Sequence, residues 1–221
     1  MVEPEAFVTV ERAAEAEVVI KKSRFIGRVV PVRSVDAAET ALAQVREAHK
    51  TAKHHCFTYR VGLGVPVERY SDDSEPSGTA GRPILEVVRR KDLRNVLVVV
   101  TRYFGGTLLG ASGLVRAYTE TTAAAVAASP PLHCQVMRKL SIHCDYALFG
   151  KLEYQLTQRG HTLVDKVYAE GVQFALWLPS QEVEKAVLDL QDGSAGQANI
   201  QVSPPEVVGI ATDGRFIHGV V

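Results

Sequence analysis

Residues 95–118, NVLVVVTRYFGGTLLGASGLVRAY, decide how the first half of the chain is read. Val96 to Val100 form an unbroken apolar run, which suits a central strand covered on both faces. A loop punctuated by Gly105, Gly106, Gly110 and Gly113 follows. Leu114, Tyr118, Thr121 and Ala125 then recur at helical spacing. Strand, glycine loop and helix in this order place the loop at the carboxyl end of a central strand, where open sheets hold their ligands. The loop has neither the G-K-[ST] ending of a phosphate loop nor the G-x-G-x-x-G spacing of a dinucleotide site. Arg102 and Arg116 are candidate phosphate partners, and Tyr103 or Phe104 a candidate stacking surface. Equally, the glycines serve tight turns and the aromatics fill core.

Upstream, AFVTV and SRFIGRVVPV read as strands. Val35, Ala38, Leu42, Val45 and His49 mark a helix that Ser34 or Asp36 caps. HCFTYRVGLG and VERYS pair as a hairpin, and a turn-rich segment from Ser71 runs into a helix with Ile84, Leu85 and Val88 on its apolar face. Residues 1–130 are thus an α+β domain, which ends where Pro130-Pro131 forbids the helix to continue. Residues 136–205 give the order βαββαβ, a ferredoxin-like pattern. Residues 206–221 form a tail that either adds an edge strand or stays loosely held.

The net charge of zero excludes a protein that is basic throughout, yet it is a cancellation. Residues 21–102 hold 16 Lys and Arg against 9 Asp and Glu, so a polyanion is directed to the first domain. The basic residues of that segment, Lys21, Lys22, Arg24 and Arg28 with Arg89, Arg90, Lys91 and Arg94, are the candidate basic face. Three cysteines without C-x-x-C spacing give neither a disulfide framework nor a thiolate metal site. No cofactor and no metal are expected. The acidic N-terminus is not a signal peptide and no apolar run approaches the roughly 20 residues of a membrane span, so a cytoplasmic protein without membrane attachment is expected.

The segment from Asp72 to Arg82, DDSEPSGTAGR, offers two readings. Glycines baring N–H groups at a helix start, with Arg82 beside them, suit an anion. Alternatively Ser77 or Thr79 simply caps the helix. Asp72, Asp73 and Glu75 as oxygen ligands for Mg²⁺ are a weaker possibility, because no second acidic cluster accompanies them. In Lys53 to Arg60, His54 and Cys56 share a strand face, the geometry a Cys/His dyad needs; a buried thiol is the commoner outcome.

KSRFIG, AKHHCFTYR, DDSEPSGTAGRPIL and VVVTRYFGGTLLGASGLVRAY, in this order between Lys22 and Tyr118, resemble the YigZ/IMPACT family. The second part resembles the small domain that accompanies its bacterial members. Ser74 stands where the family usually has glycine, and Ala111-Ser112 where the later loop often has another. The resemblance implies a ribosomal protein S5 domain 2-like fold, then a ferredoxin-like domain similar to the last domain of translocating elongation factors. It nominates His54, Asp72, Asp73, Glu75, Gly78, Thr79, Gly81, Arg102, Gly105, Gly106, Gly110 and Arg116 as site residues, with no catalytic role. It further implies a translation regulator, as its eukaryotic members are. The expected function is a non-enzymatic protein that binds RNA or the ribosome, or a translation-related protein partner. The alternative is an enzyme or sensor for a phosphorylated small molecule, with the two glycine loops as cradle and Arg102 as clamp. Which of the two holds turns on whether those loops enclose a pocket or lie open. Oligomeric state is not readable from the sequence.

Overall fold

The computed structural model describes residues 6–220. Two compact units are present, Met1–Cys134 with Gly209–Val221, and Gln135–Val208.

The first unit is built on an antiparallel sheet of five strands: β2 (Ala14–Ile20), β3 (Ser23–Pro31), β4 (His54–Val61), β5 (Val67–Ser71) and β6 (Val96–Tyr103). Their order is β2-β3-β6-β4-β5, with the apolar β6 at the centre. Alternation along β6 divides the core in two. Val96, Val98 and Val100 face a cluster with Ile84 and Val88 of α2 (Gly81–Arg90) and Leu114, Ala117 and Tyr118 of α3 (Gly110–Ala127). Leu97 and Val99 face the other way, onto Ala38, Leu42 and Val45 of α1 (Val35–Ala48). Ser34 caps α1, accepting from the Ala37 N–H at 3.1 Å. A central strand apolar throughout is the direct consequence of helices on both faces.

Sequence reading misses β2. Its Glu15 and Glu17 alternate with small or apolar residues, and the strand lies at the sheet's edge, where a polar outward row is tolerated. Before it lies the short β1 (Ala6–Val10), which pairs with the start of β7 (Pro131–Cys144). The boundary between the units therefore falls within a strand, at Cys134–Gln135, rather than at the two prolines. The tail is ordered into β11 (Glu206–Ile210) and β12 (Phe216–Ile217), and from Gly209 onward it belongs to the first unit, with Ala211 buried.

In the second unit β7 continues into α4 (Tyr146–Gln158), β8 (Val164–Tyr168), β9 (Val172–Pro179), α5 (Val183–Gly193) and β10 (Asn199–Val202). The strand order β10-β7-β9-β8, all antiparallel, is that of the ferredoxin-like split sandwich. Asp145 caps α4 and Gly160, at φ +82°, ends its last turn. Leu140, Ile142, Phe174 and Leu176 meet Leu152 and Leu156 of α4 and Leu190 of α5 in one core. The chain is α+β, an S5 domain 2-like fold followed by a ferredoxin-like one. No helix is long and apolar enough to cross a membrane.

Candidate functional site

Both nominated loops leave the same end of the first sheet. Strand register sets His54, Arg102 and Phe25 side by side across β4, β6 and β3. Residues 72–80 follow β5 beside β4, and residues 104–109 follow β6.

The first loop closes on itself through carboxylates. Asp72 accepts from the N–H groups of Gly78 at 2.8 Å and of Ala80 and Gly81 at 2.9 Å, and so seals the first turn of α2. Ser77 and Thr79 do not cap it; Thr79 donates to the Pro76 carbonyl at 2.6 Å, and the N-cap position itself is Ala80, which has no acceptor. Asp73 and Ser74 are both left-handed, at φ +41° and +69°, which turns Asp73 toward β4. There its carboxylate accepts from the His55 N–H at 2.7 Å and its carbonyl from His54 Nδ1 at 2.9 Å. Burial lowers the pKa of His55, which keeps that ring neutral.

Glu75 turns inward. Its Oε1 accepts from Arg102 Nη1 at 2.6 Å and from the Tyr118 hydroxyl at 2.9 Å. The Arg102 guanidinium lies over the rings of Phe25, at 5.3 Å, and Phe104, at 5.5 Å, and its Nε has no hydrogen-bond partner among the described residues. The Cys56 thiol is 3.0 Å from the Asp72 carbonyl and 3.3 Å from the Tyr118 hydroxyl. Burial pushes the thiol up to about 12, and pushes the Tyr118 phenol up as well. A thiol held protonated in this way is no nucleophile, so the Cys/His dyad is set aside.

The second loop is clamped to the β2–β3 turn. Gly105 donates to Ser23 Oγ at 3.1 Å, and a Cβ on Gly105 would stand 2.0 Å from the Lys22 carbonyl carbon, so no other residue fits this crossing. Ile20 pairs with Ser23, which leaves Lys21 and Lys22 as a two-residue turn at φ +46° and +67°, the left-handed pair of a type I′ hairpin. Gly106 and Gly110 also carry positive φ. Tyr103 is tied back, with its hydroxyl 2.9 Å from His49 Nδ1 and Arg24 over its ring. Phe104 and Leu108 are left 52% and 82% exposed.

One end of the sheet thus gathers Lys21, Lys22, Arg24, His54, Asp72, Asp73, Glu75, Gly78, Thr79, Arg102, Tyr103, Gly105 and Gly106. Gly81 opens α2 against the Ser71 backbone, and Arg82 stands exposed beside it. Gly110 opens α3, on which Arg116 is exposed.

The proposed basic face is divided. Arg89, Arg90, Lys91 and Arg94 lie at the opposite end of β6, a strand length of roughly 23 Å away. There Arg89 pairs with Glu68, Arg90 with the Glu86 carbonyl, and Arg94 with the carbonyls of Leu63 and Gly64. Arg24 and Arg28 are matched by Glu17 and Glu15 of β2, at 2.9 and 2.8 Å, the strand that the sequence conceals. Tyr118, read as helix core, is a full member of the Glu75 network; no sequence signal marks it.

Cavities of about 590 Å³ and about 240 Å³ open elsewhere, the first between α4 and α5 and the second between α1 and the β2–β3 hairpin. Among the described residues no group of three His, Cys, Asp or Glu side chains is placed to hold a metal ion. Chemically, the site turns the N–H groups at the start of α2, Arg102 Nη1 and the Tyr118 hydroxyl onto its own carboxylates, with Arg102 Nε left unpartnered, and it offers to solvent two lysines, an aromatic ring and glycine backbone.

Comparison with known proteins agrees with this architecture. The Impact N-terminal domain model matches residues 21–126, and a domain of unknown function (DUF1949) matches residues 142–197. The chain is 36% identical over 177 residues to IMPACT family member YvyE of Bacillus subtilis, spanning 80% of this chain and 82% of that protein. It is 32% identical over 183 residues to IMPACT family member YigZ of Escherichia coli, spanning 82% and 90%. Protein IMPACT of Mus musculus matches 94 residues at 32% identity, 41% of this chain and 29% of its own. A crystal structure of a hypothetical protein aligns over 91% of this chain and 98% of its own, with a TM-score of 0.58 and 29% identity. Matched in both domains and along most of its length, this chain belongs to the IMPACT family.

Proposed function

We propose that this protein binds RNA, in the first instance on the ribosome, through the open end of the first unit's sheet, and modulates translation in the cytoplasm without catalysing a reaction. The supporting observation is how the site's charges are spent. Asp72 holds the N–H groups at the start of α2 and Glu75 holds Arg102 Nη1, so the chain's own carboxylates occupy the donors that a small phosphorylated ligand would call on, Arg102 Nε apart. The enzyme-or-sensor reading loses its clamp. What faces outward is a cationic hairpin tip, Lys21-Lys22, beside the exposed Phe104, the equipment of a surface for an RNA backbone and its bases. The regulatory role rests on the family resemblance of the eukaryotic members.

Titration of ribosomal subunits and of structured RNA at several salt concentrations tests the reading. Phosphate-driven binding weakens as a power of the salt concentration, by about 0.7 in the log-log slope for each single-strand phosphate contact. Binding that is absent even at low salt sinks direct RNA recognition. A pull-down with and without RNase then reads a translation-related protein partner instead.

A further inference from the structure

We propose that Phe104 is a stacking platform for one unpaired nucleotide base, with Lys21 and Lys22 receiving the phosphates that flank it. The proposal deepens the RNA-binding reading and rests on it. A phenylalanine 52% exposed on a loop of a folded unit leaves apolar surface in water, and here the loop has no slack with which to tuck it away. Gly105, the next residue, is locked on the Lys22 peptide and bonded to Ser23 Oγ. From the inside the Arg102 guanidinium, itself held by Glu75, supports the ring at 5.5 Å. The ring is therefore held rigidly at the surface by a buried cation, and an arriving base does not have to order it.

The same clamp sets the lysines beside it. They occupy both positions of a type I′ turn, where asparagine and glycine are the unstrained choices, and the left-handed backbone projects two cations at the hairpin tip. Among the described residues neither forms an ion pair. An aromatic face with two unneutralised cations at its edge matches a nucleotide in both parts, base on ring and phosphate on ammonium. A base inside a duplex already has both faces stacked, so the occupant is single-stranded. Charge favours RNA over a neutral apolar partner, and an anionic membrane, which Leu108 at 82% exposure would also suit, is the competing occupant that the experiment reads.

The test titrates the full chain into a short single-stranded RNA carrying one 2-aminopurine, into its duplex, and onto vesicles containing phosphatidylglycerol. Stacking on Phe104 quenches the 2-aminopurine fluorescence. Phe104→Ala is expected to weaken single-strand binding about tenfold and to abolish the quench, while Phe104→Tyr retains both. Lys21→Ser with Lys22→Ser keeps the quench at saturation and lowers the salt slope by about 1.4, two phosphate contacts. Salt-dependent binding without a quench, unchanged in Phe104→Ala, overturns the stacking platform and leaves the RNA reading standing. Equal affinity for the duplex overturns it too. No RNA binding by the wild type overturns both, and vesicle binding that Phe104→Ala abolishes then assigns the patch to a membrane surface.

Discussion

Glu75 is acidic, buried and bonded to two partners, and the first loop depends on it. Removing one member of a buried ion pair strands the other charge, at a cost of about 3–5 kcal/mol. Glu75→Gln is accordingly expected to destabilise the protein by that amount in urea denaturation, whereas Glu75→Leu with Arg102→Leu recovers most of the loss. Ser74 carries the opposite sign. It sits at φ +69°, where the family usually has glycine, so Ser74→Gly is expected to raise stability by about 1 kcal/mol in the same assay. Cys56 makes stability depend on pH at the alkaline end. The buried thiol releases its proton at about 12 against an ordinary 9.0, so over that window the unfolded chain loses a proton that the folded chain keeps. The thiol's contribution is fully present below pH 9.0 and is lost between there and pH 12; Cys134, also raised to about 12 by burial, adds to the fall, and Cys56→Ala makes the curve shallower. Asp72, Asp73 and Glu75 were legible as an acidic cluster but not by role. Their partners, the start of α2, the His55 N–H and Arg102, come from three different elements, and spacing along the chain carries no trace of that.

At the scale of elements, alternation and apolar runs were enough to place β6 at the centre and helices on both sides of it, because burial on two faces leaves a pattern in the sequence itself. An edge strand leaves less. β2 reads AEAEVVI, and the glutamates that help make the N-terminus acidic are ion-pair partners of Arg24 and Arg28 across the hairpin. With β2 in place Arg24 and Arg28 carry matching carboxylates, and Arg89, Arg90, Lys91 and Arg94 lie at the far end of the sheet, so the eight basic residues do not form one face. The turn after β2 is where stability and binding oppose one another. Glycine at position 22 removes a left-handed side-chain penalty, so Lys22→Gly is expected to raise the thermal midpoint, by the equivalent of about 1 kcal/mol, and to lower RNA affinity by one phosphate contact. Thermal unfolding and an RNA titration on the same variant check both signs. If both measures improve, the strained turn has no role in binding.

Over the whole molecule the two units differ in how their chain is collected. The second is one continuous segment with the strand order expected from βαββαβ. The first takes its last piece from the far end of the sequence, Gly209 onward, where the end of β11 and then β12 follow the second unit. Gly209 lies against the Leu132 side chain so closely that a Cβ would approach it to 2.7 Å, Ala211 is buried, and Arg215 reaches Glu11 at 3.2 Å. The tail's sequence is short, glycine-containing and weakly periodic, which is why it was legible only as an edge strand or a loose end. A chain cut after Val208 uncovers Leu132 and removes these contacts from the first unit alone. Trp177, on β9, is the single tryptophan and lies in the second unit, so the two units can be followed separately. In the truncated chain the tryptophan fluorescence transition is expected to keep its urea midpoint, while far-UV circular dichroism gains an earlier transition from the first unit, destabilised by about 2–4 kcal/mol for the exposed leucine and its neighbours. Two transitions that stay coincident and unshifted would mean that the tail contributes nothing to the unit it joins.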